Sequence, residues 1–231
     1  MPLNEKQHKH YSYESLVDYS FARETNAVFL SQTEFSKAAR EYPIVFAGKD
    51  GNLAPFAIVG MQNQQNLFLN RDNGWDAVYI PAYVRRYPFV LAKNSQNFTV
   101  CIDESSKRFN QSGTGERLFD EDGGQSQFLK NMLSFLNQYQ MDLKRTQSFM
   151  AKLREYDLLE PMHANVELKS GERATLNDFF VVSRDKLKAL DTDKLVELIK
   201  SDALERIYTH LVSMENFNPL MERFAQLKMA S

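Results

Sequence analysis

Cysteine is almost missing from this chain: Cys101 is the only one. That excludes an intramolecular disulfide and any metal site built from cysteines alone. It also sets a reduced, cytoplasmic compartment as the expectation, with signal-independent display at the cell surface as the alternative. Long apolar runs are missing too. Nothing approaches the roughly 20 consecutive apolar residues that span a bilayer, and the polar opening MPLNEKQHKHYSYESLVDYS has no apolar signal-peptide core. Nor is there a basic excess. Lys and Arg number 28 against 30 Asp and Glu, a formal net charge of −2, which argues against phosphate-backbone binding and so against a nucleic-acid partner.

The common catalytic templates are also absent. No G-x-G-x-x-G follows a strand, no Gly-Lys-Ser/Thr phosphate loop exists, and neither H-E-x-x-H nor G-x-S-x-G occurs. His8 and His10 form an H-x-H pair near the terminus, but a metal site needs three or four placed ligands. They read as solvated polar groups. His163 and His210 stand without an H-x-D/E pair, and His210, beside Leu211 on a helix, reads as a packed or surface histidine. No metal and no cofactor is expected. Cys101 and Asp103 would share one strand face. A neighbouring carboxylate raises a thiol's pKa, the wrong direction for a reactive thiolate, so Cys101 reads as a small core residue.

What is present divides the chain into a β-rich part and a helical part. Residues 1–30 read as an arm or edge strand. Ser31-Gln-Thr-Glu34 fits a capping box ahead of a short helix that ends before Pro43. Ile44–Ala47 and Leu53–Met61 read as a hairpin across Asp50-Gly51, with Pro55 confining the early part of the second strand to an edge or bulge. Asn66–Asn70 and Trp75–Ile80 read as two further strands around Asn73-Gly74. Phe89–Ala92 and Phe98–Asp103 form another hairpin across Lys93–Asn97. Such close spacing describes an antiparallel meander over 31–104. Residues 105–125, polar with Leu118 and Phe119 as anchors, read as a long loop.

From Ser126 the periodicity changes. Leu129, Met132, Leu136, Tyr139, Leu143, Thr146, Met150 and Leu153 recur at steps of three and four, widened by Phe128, Phe135, Phe149 and Tyr156. This predicts one long helix, or two broken near Gln140, buried on the chain's own core; a homodimer through the 129–153 seam is the second reading. Pro161 closes that helix. Val166–Leu168 and Ala174–Leu176 make a small hairpin across Ser170-Gly171, followed by a strand at Phe179–Val182. Ser183 and Asp191 cap two helices, and two more follow to Leu227. The fold class is α+β: an antiparallel N-terminal meander with a short helical insertion, then a mostly helical half with a small hairpin, in one domain over 1–231.

The stretch WDAVYIPAYVRRYPFVLA, Trp75–Ala92, carries the most distinctive chemistry. Pro81 suits the first helical position and Pro88 ends the turn, so Pro81–Tyr87 reads as about one and a half helical turns between two strands. Tyr, Trp and Arg dominate interface energetics, and a guanidinium clamps a carboxylate bidentately. Trp75, Tyr79, Tyr83, Arg85, Arg86 and Tyr87 are therefore the candidate ligand- or partner-binding residues. The alternative is a structural corner.

These residues also carry a resemblance. EYPIVF at Glu41–Phe46, NLFLN at Asn66–Asn70, the Trp75–Ala92 stretch and CIDE at Cys101–Glu104 resemble the bacterial SapC family. LLEP at Leu158–Pro161, FFVVSRDKLKAL from Phe179 and IYTHLVSMEN from Ile207 continue the match in order. The family takes its name from a protein linked to a paracrystalline surface layer. Other members resemble products encoded beside cupin-like or 2-oxoglutarate-dependent hydroxylases, flavin-dependent tryptophan halogenase-like proteins and outer-membrane receptors. The resemblance implies no catalytic residues. The absent catalytic templates, the Tyr/Trp/Arg stretch and the long polar loop point to a non-catalytic binding or accessory protein taking a protein or peptide partner, and the resemblance places that partner in an oxygenase- or halogenase-associated peptide-modification system or in surface assembly. One alternative is an enzyme using Arg85, Arg86, Tyr87, Asp103 and Cys101; the other is a structural surface-layer component.

Overall fold

The computed structural model describes residues 1–49, 52–93, 98–167 and 173–229. In chain order the first elements are α1 (Glu5–His8), β1 (Ser12–Tyr13), β2 (Ala27–Phe29), α2 (Phe35–Ala38), β3 (Ile44–Ala47) and β4 (Ala54–Ile58). Then come α3 (Ala82–Arg85), β5 (Phe89–Lys93), β6 (Phe98–Ile102), β7 (Phe109–Asn110), β8 (Glu116–Arg117) and the long α4 (Gln127–Glu155). The chain closes with β9 (Leu159–Glu167), β10 (Arg173–Val182), α5 (Arg184–Lys188), α6 (Thr192–Lys200), α7 (Ala203–Ser213) and α8 (Phe217–Met229). Helices and antiparallel sheets coexist, so the fold is α+β, and the contacts gather into two compact units.

The first unit comprises Met1–Val17 and Tyr83–Met141. Its β5–β6 hairpin pairs Phe89 with Ile102 and Leu91 with Val100, and residues 94–97 of the expected turn lie outside the described residues. The expected arm is docked rather than loose. Leu3 N–H bonds Val100 C=O at 2.9 Å and Pro2 bridges Cys101, which lays these residues along the edge of β6. The expected long loop is structured too: β7 and β8 flank β1 in a three-stranded sheet. Gly115 permits this close approach, since a Cβ there would lie 2.2 Å from the Tyr13 carbonyl oxygen. Phe89, Ile102, Phe109, Leu118 and Phe119 form the core with Leu129 and Leu136 of α4. Periodicity missed this arrangement because the strands of the small sheet are two residues long, too short to alternate.

The second unit comprises Asp18–Ala82 and Asp142–Ser231. Its five-stranded sheet has the order β2-β4-β3-β10-β9, all antiparallel. The expected β3–β4 hairpin is present, with Ile44 opposite Ala57, while Asp50-Gly51 lies outside the described residues. Strand β4 lies between β2 and β3, with Pro55 in its early part beyond the β2 pairing. Pro55 is tolerated because it sits near the strand's start, past the last Phe29–Phe56 pair of β2. The small C-terminal hairpin is a long one, bulged between Leu176 and Phe179, and Pro161 lies inside β9 instead of closing a helix. Its Ser170-Gly171 turn also lies outside the described residues. Strand β10 pairs with β3 through Phe179–Ala47 and Phe180–Phe46. The sheet is therefore assembled from both halves of the sequence, which corrects the expected meander-then-helices order.

The expected strands Asn66–Asn70 and Trp75–Ile80 shrink to a single bridge between Leu69 and Trp75. Side chains take the amides a ladder would use. Asn66 accepts from Phe68 N, Asn70 from Asp72 N and Gly74 N, and Glu41 from Val78 N and Tyr79 N. Helix α4 is unbroken at Gln140. Phe149, at the edge of its seam, meets Phe35 edge-on at 5.9 Å in this unit's core. The seam residues Leu129, Leu136, Tyr139, Thr146, Met150 and Leu153 are buried within this chain, and Met132 and Leu143 are half-buried. Asp191 caps α6 through Lys194 N; Ser183 makes no side-chain cap to α5.

Helix α7 is fastened to the sheet by an unusual wedge. His210, fully buried, accepts from Val182 N at its Nε2 (3.0 Å) and donates from Nδ1 to Ile44 O (2.7 Å). The imidazole spans β10 and β3 just where their direct pairing has ended. Both bonds require the neutral Nδ1–H tautomer, and burial pushes the pKa down to about 4. Ser213 Oγ then accepts from Ile44 N at 3.0 Å.

Candidate functional site

The six candidate residues separate into two environments. Trp75 and Tyr79 belong to the second unit; Tyr83, Arg85, Arg86 and Tyr87 belong to the first.

In the second unit the side chains are committed to the protein. Trp75 is 8% exposed, meets Tyr19 edge-on at 5.9 Å, and donates its indole N–H to the Tyr42 hydroxyl at 2.8 Å. Tyr42, fully buried, donates its hydroxyl hydrogen bond to the Tyr79 carbonyl. Burial pushes that phenol far above its usual range, so it stays neutral. The Tyr79 hydroxyl donates to Glu34 at 2.7 Å. Glu34 holds its expected reach-back bond to Ser31 N (2.8 Å) and adds Ser31 Oγ and Ala82 N. One buried carboxyl group thus receives four donors, which pins residues 79–82. Trp75 and Tyr79 are the structural corner.

The first unit treats its residues differently. Helix α3 ends at Arg85, and Tyr87 N bonds Val84 O at 3.1 Å in the following turn, before a cis Tyr87–Pro88 peptide. The expected helical turn over Pro81–Tyr87 is therefore shorter, with Tyr87 outside α3. Tyr83 is 42% exposed, and the Arg86 guanidinium lies 4.3 Å from its ring centroid. On its other approach Arg86 is 5.9 Å from the ring of Tyr139, a 5%-exposed residue of α4. Arg86 Nε is buried and makes no hydrogen bond. Among the described residues no carboxylate pairs with this guanidinium, so its charge is held by π faces alone. Arg85 is exposed and lies 5.2 Å from the Phe135 ring.

Tyr87 turns inward. Its hydroxyl donates to Asp103 Oδ2 at 2.9 Å, and burial followed by Asp103 raises its pKa. Asp103 also accepts from Ser105 Oγ (2.6 Å) and Ser105 N, which hold its carboxyl below the usual range. Asp103 lies beyond the end of β6 and points its bonds to Tyr87 and Ser105, so it makes no strand-face pair with Cys101. Cys101 is half-buried, opposite Val90 in the hairpin. Sequence reasoning missed Arg108, Tyr139 and Phe135. Arg108 is 6% exposed and donates to the Tyr13 hydroxyl and the Tyr87 carbonyl, both at 3.3 Å. It stood in the stretch expected as a loop, and Tyr139 was absorbed into the helical seam, so no local pattern pointed to either.

Among the described residues no three His, Cys, Asp or Glu side chains gather as a metal-ligand set, and no helix is long and apolar enough to cross a membrane. Comparison with curated proteins gives no match, and comparison with solved structures gives none either. The family model for SapC matches residues 3–220, nearly the whole length, and on that match the chain belongs to the SapC family.

Proposed function

We propose that this SapC-family chain is a non-catalytic binding or accessory protein whose contact with a protein or peptide partner is centred on Arg86. The observation that carries this reading is a guanidinium stacked on Tyr83 at 4.3 Å with no carboxylate partner among the described residues. A cation placed between aromatic faces keeps its in-plane N–H groups for an anion, and the natural occupant is an acidic side chain or a C-terminal carboxylate. Tyr83 and Arg85, both exposed, supply neighbouring contact area of the kind that dominates interfaces. The partner class the family suggests is a hydroxylase- or halogenase-like protein, or a peptide it modifies.

Tyr87, Asp103 and Arg108 read as internal support for this surface. A phenol whose pKa is raised is a poor base near neutrality, which weighs against an enzyme built on that cluster. The test is co-purification from the native cell with the wild-type chain, Arg86→Gln and Arg86→Lys, each matched by thermal melt. Loss of the co-purifying partner from Arg86→Gln, with partial retention by Arg86→Lys, is expected. Identical partner profiles for all three would defeat the reading.

A further inference from the structure

A second site lies in the first unit, away from the arginine pair in sequence. It is a cavity of about 420 Å³ between the residues after α1, the β7–β8 turn and the loop after β8. That volume falls in the range of small-molecule pockets. No aliphatic or phenyl side chain lines it, so it suits neither a lipid tail nor an apolar cofactor.

Its charges are mixed and weakly engaged. Lys9 and Arg117 contribute two positive charges, Asp120 and Glu121 two negative ones. Lys9 reaches Glu5 only at 3.7 Å, and Arg117 meets Glu121 at 3.2 Å with both side chains more than half exposed. Such surface pairs yield readily to a competing ligand. The cavity formally balances, so it has no preference for a simple anion or cation; it favours a molecule carrying both charges. Ser12 adds a neutral group. It is 1% exposed and lines the cavity. Its hydroxyl can both donate and accept toward a ligand there.

The walls are fixed before any ligand arrives. His8 is fully buried, accepts from Asn4 N at 3.1 Å and reaches Glu104 at 3.2 Å, which anchors the segment carrying Lys9 and His10. It is not the solvated residue expected of an H-x-H pair. Asp120 and Glu121 stand on a turn closed by Asp120 N to Gly124 O (2.8 Å) and Gly123 N to Asp120 O (3.0 Å). A pre-formed pocket spares the cost of ordering on binding.

We infer that this cavity binds a zwitterionic α-amino acid or dipeptide, its carboxylate on Arg117 and Lys9 and its ammonium on Asp120 and Glu121, with Ser12 hydrogen-bonding between them. The test is titration calorimetry on the full chain with the twenty free amino acids and glycylglycine. Glycylglycine methyl ester, which keeps only the positive charge, and N-acetylglycylglycine, which keeps only the negative one, serve as the blocked probes. At least one zwitterion binds saturably, and blocking either charge of the dipeptide weakens binding by about tenfold or more. Arg117→Gln and Asp120→Asn each weaken it to a similar degree while melting like wild type, since both side chains are exposed. Absence of saturable heat for every zwitterion overturns the inference. So does equal affinity for the blocked forms, or unchanged binding in the two variants.

Discussion

At the scale of single residues, what distinguishes structure from recognition here is whether a polar group's bonds are spent. Glu34 receives four donors and His210 makes two bonds in a fully buried position. Arg86 Nε makes none among the described residues, and the guanidinium rests on tyrosine. The His210 wedge also makes stability depend on pH. The folded imidazole titrates at about 4, the unfolded one near 6.5. Between those values the unfolded chain binds more protons. The contribution of His210 is therefore complete above about pH 6.5, falls by up to about 1.4 kcal/mol per unit as pH drops, and is exhausted near pH 4. Denaturant midpoints for wild type and His210→Gln across pH 4–7 check this. The wild type loses stability faster on acidification, and parallel curves would show that His210 does not report this linkage.

At the scale of elements, short strands owe their existence to backbone geometry that composition does not reveal. Strand β8 lies against β1 because Gly115, at φ +90°, lets the chain pass where a Cβ would sit 2.2 Å from the Tyr13 oxygen. Gly113, at φ +82°, has nothing within 4 Å of its would-be Cβ. Alanine at 115 is expected to cost about 1–3 kcal/mol from strain plus collision, and alanine at 113 about 1 kcal/mol or less. Chemical denaturation of the two variants gives the comparison, and equal costs would contradict it. The long elements behaved otherwise. The steps of three and four from Leu129 to Leu153 predicted α4, and its width predicted burial on the chain's own core, because a helix that long repeats its pattern enough times to be read. The alternation around Asn66–Ile80 misled, because asparagine and glutamate side chains there capture the amides that a strand would pair.

At the scale of the whole molecule, the five-stranded sheet joins residues 27–58 to residues 159–182, so neither stretch completes it alone. Strand β3 depends on β10 for one edge and on His210 and Ser213 for the bonds of Ile44. A chain cut to residues 1–125 is expected to lack a cooperative melt, since β3 would lose a neighbouring strand and the helices covering the sheet. Circular dichroism on heating tests this, and a sigmoidal transition in the fragment would refute it.

By itself the sequence determined the α+β class, the SapC family, the capping box at Ser31–Glu34, the β3–β4 hairpin and the long helix. The capping box, the hairpin and the long helix each rest on information carried within about thirty consecutive residues, and the family on motifs that recur in order along the chain. Only the tertiary structure decided which member of the Trp75–Tyr87 group faces inward. Trp75, Tyr79 and Tyr87 find buried or half-buried partners at Tyr42, Glu34 and Asp103, whereas Tyr83 is exposed and Arg85 and Arg86 lie over aromatic rings. Burial and hydrogen-bond satisfaction are properties of neighbours far apart in the chain, and no local spacing encodes them.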